Sequence, residues 1–172
     1  MKRLLFIVLV FSFDINQLAF ADCFTSAAET QGIHEDLLRA IGKVESNYNP
    51  EALHPKSHAL GVMQILPSNF KSLEKYDITE ADLHQPCTNI NVGAWILAGF
   101  IKQYGPVWRA VGAYGAGNGK TKEVEAQRAI YVVKVQKALI ALQGHKPKTI
   151  EAVVNKTDPV NSPERPMMVV LE

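Results

Sequence analysis

The sequence predicts an all-α fold. Apolar residues recur at three- and four-residue spacing in several segments, whereas the strict alternation typical of strands is almost absent. The chain has 172 residues, of which 47% are hydrophobic and 20% are charged, which is enough for one domain with its own core. The formal net charge is only +1, so no basic surface indicates a nucleic-acid partner.

The first 21 residues predict a cleaved signal peptide and therefore a periplasmic protein. Two basic residues precede an apolar run at positions 4–13, and residues 19–21, Ala-Phe-Ala, match the A-x-A cleavage pattern. The apolar run is too short to span a membrane. Lipid attachment at Cys23 is disfavoured because Asp22, rather than a small residue, precedes it. We therefore expect export without a membrane anchor.

The two cysteines of the chain, Cys23 and Cys87, predict a disulfide. An exported protein meets an oxidising compartment, where paired cysteines are commonly joined. In the chain-entropy model, closing a loop of this length stabilises a fold by about 4 kcal/mol. The alternative is a pair of free buried thiols, and neither cysteine lies in a motif typical of a catalytic thiol.

Six segments carry a helical pattern: residues 25–31, 35–45, 69–75, 89–104, 107–114 and 122–143. Gly32 closes the first, and the second has one apolar stripe at positions 37, 38, 41 and 44. Ser68 is a suitable N-cap for the third. The fourth has a broad apolar face, and Gly105 with Pro106 separates it from the fifth. A glycine-rich loop precedes the last helix.

The composition changes after this last helix. Residues 144–172 are polar and rich in proline, which predicts a flexible tail. The sequence therefore predicts a signal peptide at 1–21, one catalytic or binding domain at 22–143 and a tail at 144–172.

Two possible cofactor sites are rejected from the residues themselves. His54 and His58 have the spacing of helical metal ligands, but Pro55 lies between them and no H-E-x-x-H motif is present. The segment Gly119-Lys120-Thr121 resembles the end of a phosphate-binding loop, but Tyr114 occupies the position of its first glycine. We therefore expect no metal and no cofactor.

Glu45 is the candidate catalytic residue. It follows the apolar stripe of the second helix directly, so its side chain lies where a buried face meets solvent. A polar, turn-rich loop comes next, and the apolar segment 61–67 then returns towards the helix. Other acidic residues, such as Glu29 and Glu35, have the positions of solvated helix charges.

Four motifs follow one another between residues 23 and 142. They are Glu45-Ser46 with Asn49-Pro50 and the segment ALGVMQILP at 59–67, Asn89-Ile90 with Gly93, AYGAG at 113–117, and YVVKV at 131–135. In this order they resemble the motifs of the soluble lytic transglycosylases, whose fold is that of goose-type lysozyme. The segment 93–97 most resembles specialised members that accompany type III and type IV secretion, conjugation and pilus assembly. Two positions differ from the family pattern, Gly115 in place of Asn and Leu66 in place of Met.

The resemblance implies a peptidoglycan lytic transglycosylase with one catalytic carboxylate. Glu45 would protonate the β-1,4 bridge between N-acetylmuramic acid and N-acetylglucosamine. Its carboxylate would then take the proton of the muramic C6 hydroxyl, which closes a 1,6-anhydro ring. Most glycosidases need two carboxylates, but here the second nucleophile belongs to the sugar. Glu45 must hold its proton near neutral pH, so we expect burial against Met63 to raise its pKa.

The resemblance also suggests six substrate-contacting residues: Gln64, Met63, Gly61, Tyr114, Tyr131 and Ser46. Gln64 would bond acetamido groups, and Gly61 would let the backbone approach the sugar. We expect Tyr114 to position Glu45 and Tyr131 to close the opposite wall, although core packing is an open alternative for both. Asn89 and Gly93 are interpreted as structural, as a helix start and a close helix contact.

Two other functions stay open. A lysozyme-like hydrolase would add water, and the lack of a second well-placed acid argues against it. The other is a non-enzymatic wall-binding or assembly subunit that has kept the fold and lost the activity. The presence of Glu45 and Gln64 argues against this alternative, whereas Gly115 in place of Asn is compatible with it. The expected partners are glycan strands of peptidoglycan and an envelope-spanning secretion, conjugation or pilus apparatus, with the protein itself a monomer.

Overall fold

The structure is a computed structural model that describes residues 15–144, with side chains from Cys23 onwards. This part of the chain forms six α-helices: α1 (Ile15–Gln31), α2 (Glu35–Ser46), α3 (Phe70–Leu73), α4 (Pro86–Tyr104), α5 (Trp108–Ala116) and α6 (Lys122–Leu142). Short 3-10 turns cover Pro67–Asn69, Glu74–Tyr76 and Ala81–His84. The described residues contain two isolated β-bridges and no strand, so the all-α prediction is confirmed.

Some predictions concern residues that the structure does not describe. The basic and apolar segments of the signal peptide, at 1–14, and the tail at 145–172 lie outside the described residues. The division into signal peptide, domain and tail therefore stays a prediction. Among the helices that are described, none is both long and apolar enough to cross a membrane.

Several helix boundaries differ from the predicted ones. Helix α1 begins at Ile15 instead of residue 25, because residues 15–22 include no proline or glycine that would stop it. Helix α4 begins at Pro86 instead of residue 89, since proline is well suited to the first helical position. The predicted helix at 69–75 is divided among α3 and two 3-10 turns, and Ser68 makes no capping hydrogen bond there.

Helix α2 begins and ends with recognisable capping residues. At its start, the backbone N–H of Asp36 donates to Nδ1 of His34 at 3.1 Å. Two acidic residues follow in the first turn, where they complement the helix dipole. At its end, Asn47 adopts a left-handed conformation with φ of 55°, which stops the helix. Glu45 consequently lies in the last turn of α2.

The core lies between these helices. Helix α1 packs on α2 and α4, α2 packs on α6, and α5 packs on both α4 and α6. Its largest fully buried side chains include Phe24, Leu38, Ile41, Met63 and Ile90. Each contributes about 1.5–3 kcal/mol by leaving water. Burial of the face of α2 that carries Leu38 and Ile41 fixes the rotation of the helix, and thereby the direction in which Glu45 points.

A disulfide joins Cys23 on α1 to Cys87 at the start of α4, with a Cα–Cα distance of 5.1 Å. The predicted pairing is therefore confirmed. The two cysteines are 64 positions apart in the sequence, and the segment between them contains α2 and the loop after it. Loop closure of this size restricts the unfolded chain and stabilises the fold by about 4 kcal/mol.

Candidate active site

The carboxylate of Glu45 is partly buried between α2 and α6. The hydroxyl of Tyr131 on α6 donates a hydrogen bond to Oε1 of Glu45 at 2.5 Å. Lys134, three residues further along the same helix, contributes a positive charge near this carboxylate. Tyr114 on α5 also lies within its electrostatic reach. Side chains from α2, α5 and α6 thus lie close to one acidic group.

Burial raises the pKa of Glu45 from its ordinary value of 4.5 to about 7. The hydrogen bond from Tyr131 and the charge of Lys134 act in the opposite direction, because both stabilise the carboxylate. The upward direction and burial as its largest cause agree with the expectation, whereas burial against Met63 in particular stays a prediction. A carboxyl group with a pKa near 7 is present in both protonation states at neutral pH, so it is suited to donate a proton and then to accept one.

Both tyrosines remain protonated at neutral pH. Burial raises the pKa of Tyr131 well above 10, and the neighbouring Glu45 and Tyr114 raise it further. Burial and the charge of Glu45 likewise raise the pKa of Tyr114. The hydroxyl of Tyr114 donates to the backbone carbonyl of Met63 at 2.8 Å, not to Glu45. Tyr131 therefore makes the direct contact with Glu45, because its helix packs on α2, and Tyr114 holds the neighbouring loop. The closing of the opposite wall by Tyr131 stays a prediction.

The side chain of Asn89 on α4 stabilises the loop between α2 and α3 through hydrogen bonds. Its Oδ1 accepts from the backbone N–H of Met63 at 2.7 Å, and its Nδ2 donates to the carbonyls of Leu60 and Leu83, each at 2.9 Å. The side chain is fully buried. The interpretation of Asn89 as a helix start is wrong, because α4 begins at Pro86 and frees this amide to bond the loop.

The side chain of Met63 lies in the hydrophobic core and not on the surface of the site. Its side chain is fully buried, and a Cβ added to Gly93 on α4 would lie 2.6 Å from its Cβ. On the other side, a Cβ at Gly42 of α2 would lie 3.4 Å from its sulfur. The predicted substrate contact by the Met63 side chain is therefore corrected to a core position. Gly93 is structural, as interpreted, but its close contact is with this loop residue and not with another helix.

Gly61 is required by the packing of the loop. Its φ of +71° is readily adopted by glycine, and an added Cβ would lie 2.3 Å from Nδ2 of Asn89. The residue is buried, and this tight packing is itself a reason for a glycine here, whereas the close approach of a sugar stays a prediction.

Ser46 and Gln64 brace the same loop. Oγ of Ser46 donates to the carbonyl of Val62 at 2.9 Å and accepts from the backbone N–H of Asn49 at 3.0 Å. Nε2 of Gln64 donates to the carbonyls of Ala52 and Gly61, at 3.2 Å and 3.0 Å. Both residues are partly exposed, and their contact with a substrate stays a prediction.

Two other acidic residues of the described part of the chain have pKa changes in the opposite direction. The pKa of Asp82 is lowered by hydrogen bonds from Thr79, and that of Glu123 is lowered by a backbone hydrogen bond at the start of α6. Within the described part of the chain, no group of three or more His, Cys, Asp or Glu side chains could hold a metal ion. His54 instead orders a turn, since its Nδ1 accepts from the backbone N–H groups of two following residues.

Sequence reasoning identified Glu45 but missed Asn89 and Lys134 as contributors to the site. Lys134 had a detectable signal, because it follows Tyr131 by three residues and therefore lies on the same face of α6. Asn89 had no detectable sequence signal apart from its place in a motif, because its hydrogen bonds depend on how the loop crosses α4.

Comparison with known proteins agrees with this geometry. Residues 22–132 match the family model described as "Transglycosylase SLT domain". The chain is 36% identical over 166 residues to X polypeptide of Escherichia coli K12, covering 94% of this chain and 96% of that protein. It is 37% identical over 159 residues to Invasion protein IagB of Salmonella typhimurium, covering 88% of this chain and 98% of that protein.

A solved structure supports the fold. The lytic transglycosylase Slt of Pseudomonas aeruginosa, determined as an inactive mutant, superposes with a TM-score of 0.61 at 23% sequence identity. The match covers 83% of this chain and 25% of that one, so this chain spans about a quarter of the solved protein. The predicted lysozyme-like fold of lytic transglycosylases is confirmed.

Proposed function

This chain belongs to the SLT transglycosylase family, and from that premise we propose that Glu45 is the single acid–base group of its lytic transglycosylase reaction. The protein cleaves the β-1,4 bond between N-acetylmuramic acid and N-acetylglucosamine and forms 1,6-anhydromuramic ends. The observation that supports the role of Glu45 is its position. It is a partly buried carboxyl group with a pKa of about 7, held by the hydroxyl of Tyr131.

In the first step, protonated Glu45 donates to the bridging oxygen. Because Tyr131 donates its hydrogen bond to Oε1, the acidic proton belongs on the other oxygen, Oε2. The bond between the muramic C1 and the bridging oxygen breaks, and N-acetylglucosamine leaves with the proton. Positive charge develops at the ring, and the new carboxylate lies beside it.

In the second step, the Glu45 carboxylate acts as the base. It takes the proton of the muramic C6 hydroxyl while that oxygen bonds to C1, which closes the anhydro ring and restores the acid. Tyr131 and Lys134 stabilise the carboxylate between the two steps, as their lowering effect on the Glu45 pKa implies. No second acid is needed to activate a water.

Gln64 is proposed to contact the substrate through its carbonyl oxygen. Its amide nitrogen is already used for two hydrogen bonds within the loop, so the oxygen is the group suited to accept from an acetamido N–H. Ser46 and Tyr114 support this loop, through the carbonyls of Val62 and Met63. The loop is thereby held as a rigid wall next to Glu45.

The protein is proposed to act in the periplasm and to open the wall locally for a secretion, conjugation or pilus apparatus. The charged and apolar segments at the N-terminus and the Cys23–Cys87 disulfide support export. The similarity to Invasion protein IagB over most of both chains supports a role beside an envelope-spanning machine. Export predicts a periplasmic protein that begins at Asp22. A full-length cytoplasmic protein would contradict it.

The role of Glu45 is tested by release of soluble fragments from purified sacculi. We expect release by the wild type, none by Glu45→Gln, and wild-type release by Glu51→Gln, a matched control in the exposed loop after α2. Release by the Glu45→Gln variant would exclude Glu45 as the acid.

Binding to the sacculi is measured in the same samples by sedimentation. If the wild type and Glu45→Gln both bind but neither releases fragments, the assembly-subunit alternative replaces the enzyme. If both fail to bind, peptidoglycan is the wrong substrate. Release by the wild type alone supports the proposed reaction.

A further inference from the structure

Gly115 on α5 lies directly against the ring of Tyr131. A Cβ placed on Gly115 would be 2.3 Å from both Cγ and Cδ2 of that ring and 2.5 Å from Cε2, far inside the 3.0 Å below which a neighbour must move. The backbone at Gly115 is helical, so no left-handed conformation demands a glycine. Glycine is also a poor helix former. The glycine at 115 is therefore explained by the space that the Tyr131 ring occupies and not by a special backbone conformation.

The same tyrosine is fixed at its other end by the catalytic group. Its hydroxyl donates to Oε1 of Glu45 at 2.5 Å, while its ring rests on the backbone of α5 at Gly115. Tyr131 consequently spans the distance between α5 and α2. Any change at residue 115 that displaces the ring must also move the hydroxyl.

We propose that Gly115 is a positioning residue, whose missing side chain lets Tyr131 lie on α5 and reach Glu45. The proposal deepens the proposed function, since it rests on Glu45 being the acid. The other groups that face Glu45 are Lys134 on α6, which is exposed, and Tyr114 on α5. The three atoms closest to the position of a Cβ at residue 115 all belong to the ring of Tyr131.

An alanine at 115 has to push the ring outwards. Ordinary contact begins at 3.4 Å, so a ring atom now 2.3 Å from the Cβ position must retreat by about 1 Å. Because the ring and its hydroxyl move as one rigid group, a displacement of this size disrupts the geometry of the 2.5 Å hydrogen bond to Glu45. Because this bond stabilises the carboxylate, its loss raises the pKa of Glu45, by about one pH unit for a bond to a charged group.

The test is a carbon-13 NMR titration of the Glu45 carboxyl in the mature protein, with its signal assigned by its absence in Glu45→Gln. We expect a pKa of about 7 in the wild type. In Gly115→Ala and in Tyr131→Phe the value should rise by about one pH unit, and the double variant should show no further rise. Gly99→Ala is the matched control, because Gly99 is also helical and a Cβ there meets nothing within 4 Å.

The outcomes separate this inference from the proposed function. An unchanged Glu45 pKa in Gly115→Ala would overturn it, as would additive shifts in the double variant. The titration needs no turnover, so a protein that shows the coupling but releases nothing from sacculi would refute the proposed function and leave the coupling standing. In an active enzyme, the alkaline limb of the rate profile should move upwards by the same amount in both single variants.

If the Gly115→Ala variant does not fold well enough for NMR, melting temperatures in two backgrounds test the same contact. Tyr131→Leu removes the ring and frees space at residue 115. We expect alanine at 115 to lower the melting temperature strongly in the wild-type background and only slightly in the Tyr131→Leu background. Equal losses in both backgrounds would show that the Tyr131 ring is not what residue 115 accommodates.

Discussion

Replacing Glu45 with glutamine should stabilise the protein at neutral and alkaline pH. In the unfolded chain Glu45 has its ordinary pKa of 4.5, and in the folded protein burial raises the pKa to about 7. Well below pH 4.5 both states hold the proton and the residue adds no pH dependence. Between pH 4.5 and about 7 Glu45 is ionised in the unfolded chain but still protonated in the folded protein, so the free energy of unfolding falls as pH rises.

The size of this effect follows from the two pKa values. One pH unit corresponds to about 1.36 kcal/mol, so the interval from 4.5 to about 7 costs the wild type at most about 3 kcal/mol by pH 8. Glutamine has no charge to bury and still accepts the hydrogen bond from Tyr131. The stability of the Glu45→Gln variant should therefore exceed that of the wild type by an amount that grows from pH 4.5 to pH 8.

The measurement is urea unfolding of both proteins at pH 4.5, 6, 7 and 8, with Glu51→Gln as the control for removing an exposed carboxylate. The difference between Glu45→Gln and the wild type should level off above pH 7. Parallel stability curves, or a difference no larger than that of the control, would show that Glu45 is not held protonated by burial.

Three further predictions concern the groups that support the site. Asn89→Ala removes three buried hydrogen bonds and should lower the free energy of unfolding by about 3 kcal/mol in urea, whereas an unchanged midpoint would refute the role of this amide. Cys23→Ser with Cys87→Ser should lower it by about 4 kcal/mol, and a reducing agent should affect only the wild type. Tyr114→Phe loses one bond to the Met63 carbonyl and should cost about 1 kcal/mol of stability while keeping sacculus release; complete loss of release would assign Tyr114 to the chemistry.

The architecture was accessible from the sequence because helix periodicity is a local property. The stripe on α2 gave its length within one residue, and α6 was likewise located from its pattern. The errors arose at positions where local rules compete. Pro86 starts α4 after a 3-10 turn and one extended residue, and the short segment after Leu66 is divided between 3-10 and α geometry.

The site was only partly accessible. Glu45 could be selected as the candidate because it ends an amphipathic stripe and opens a recognisable motif. The partner of its carboxylate could not, because Tyr114 and Tyr131 lie on different helices and only the packing of α6 on α2 decides which one reaches it. Met63 illustrates the same limit, since its burial depends on the two glycines that flank it in space.

The most direct test of the reaction is the mass of the ends formed when the mature protein digests sacculi in water enriched in oxygen-18. A single carboxylate that uses the sugar's own C6 hydroxyl predicts anhydromuramic ends, one water lighter than reducing ends and free of the label. Glu45→Gln should form none. Reducing ends that carry one oxygen-18 would contradict the account, because they would show that water, not the C6 hydroxyl, attacks C1.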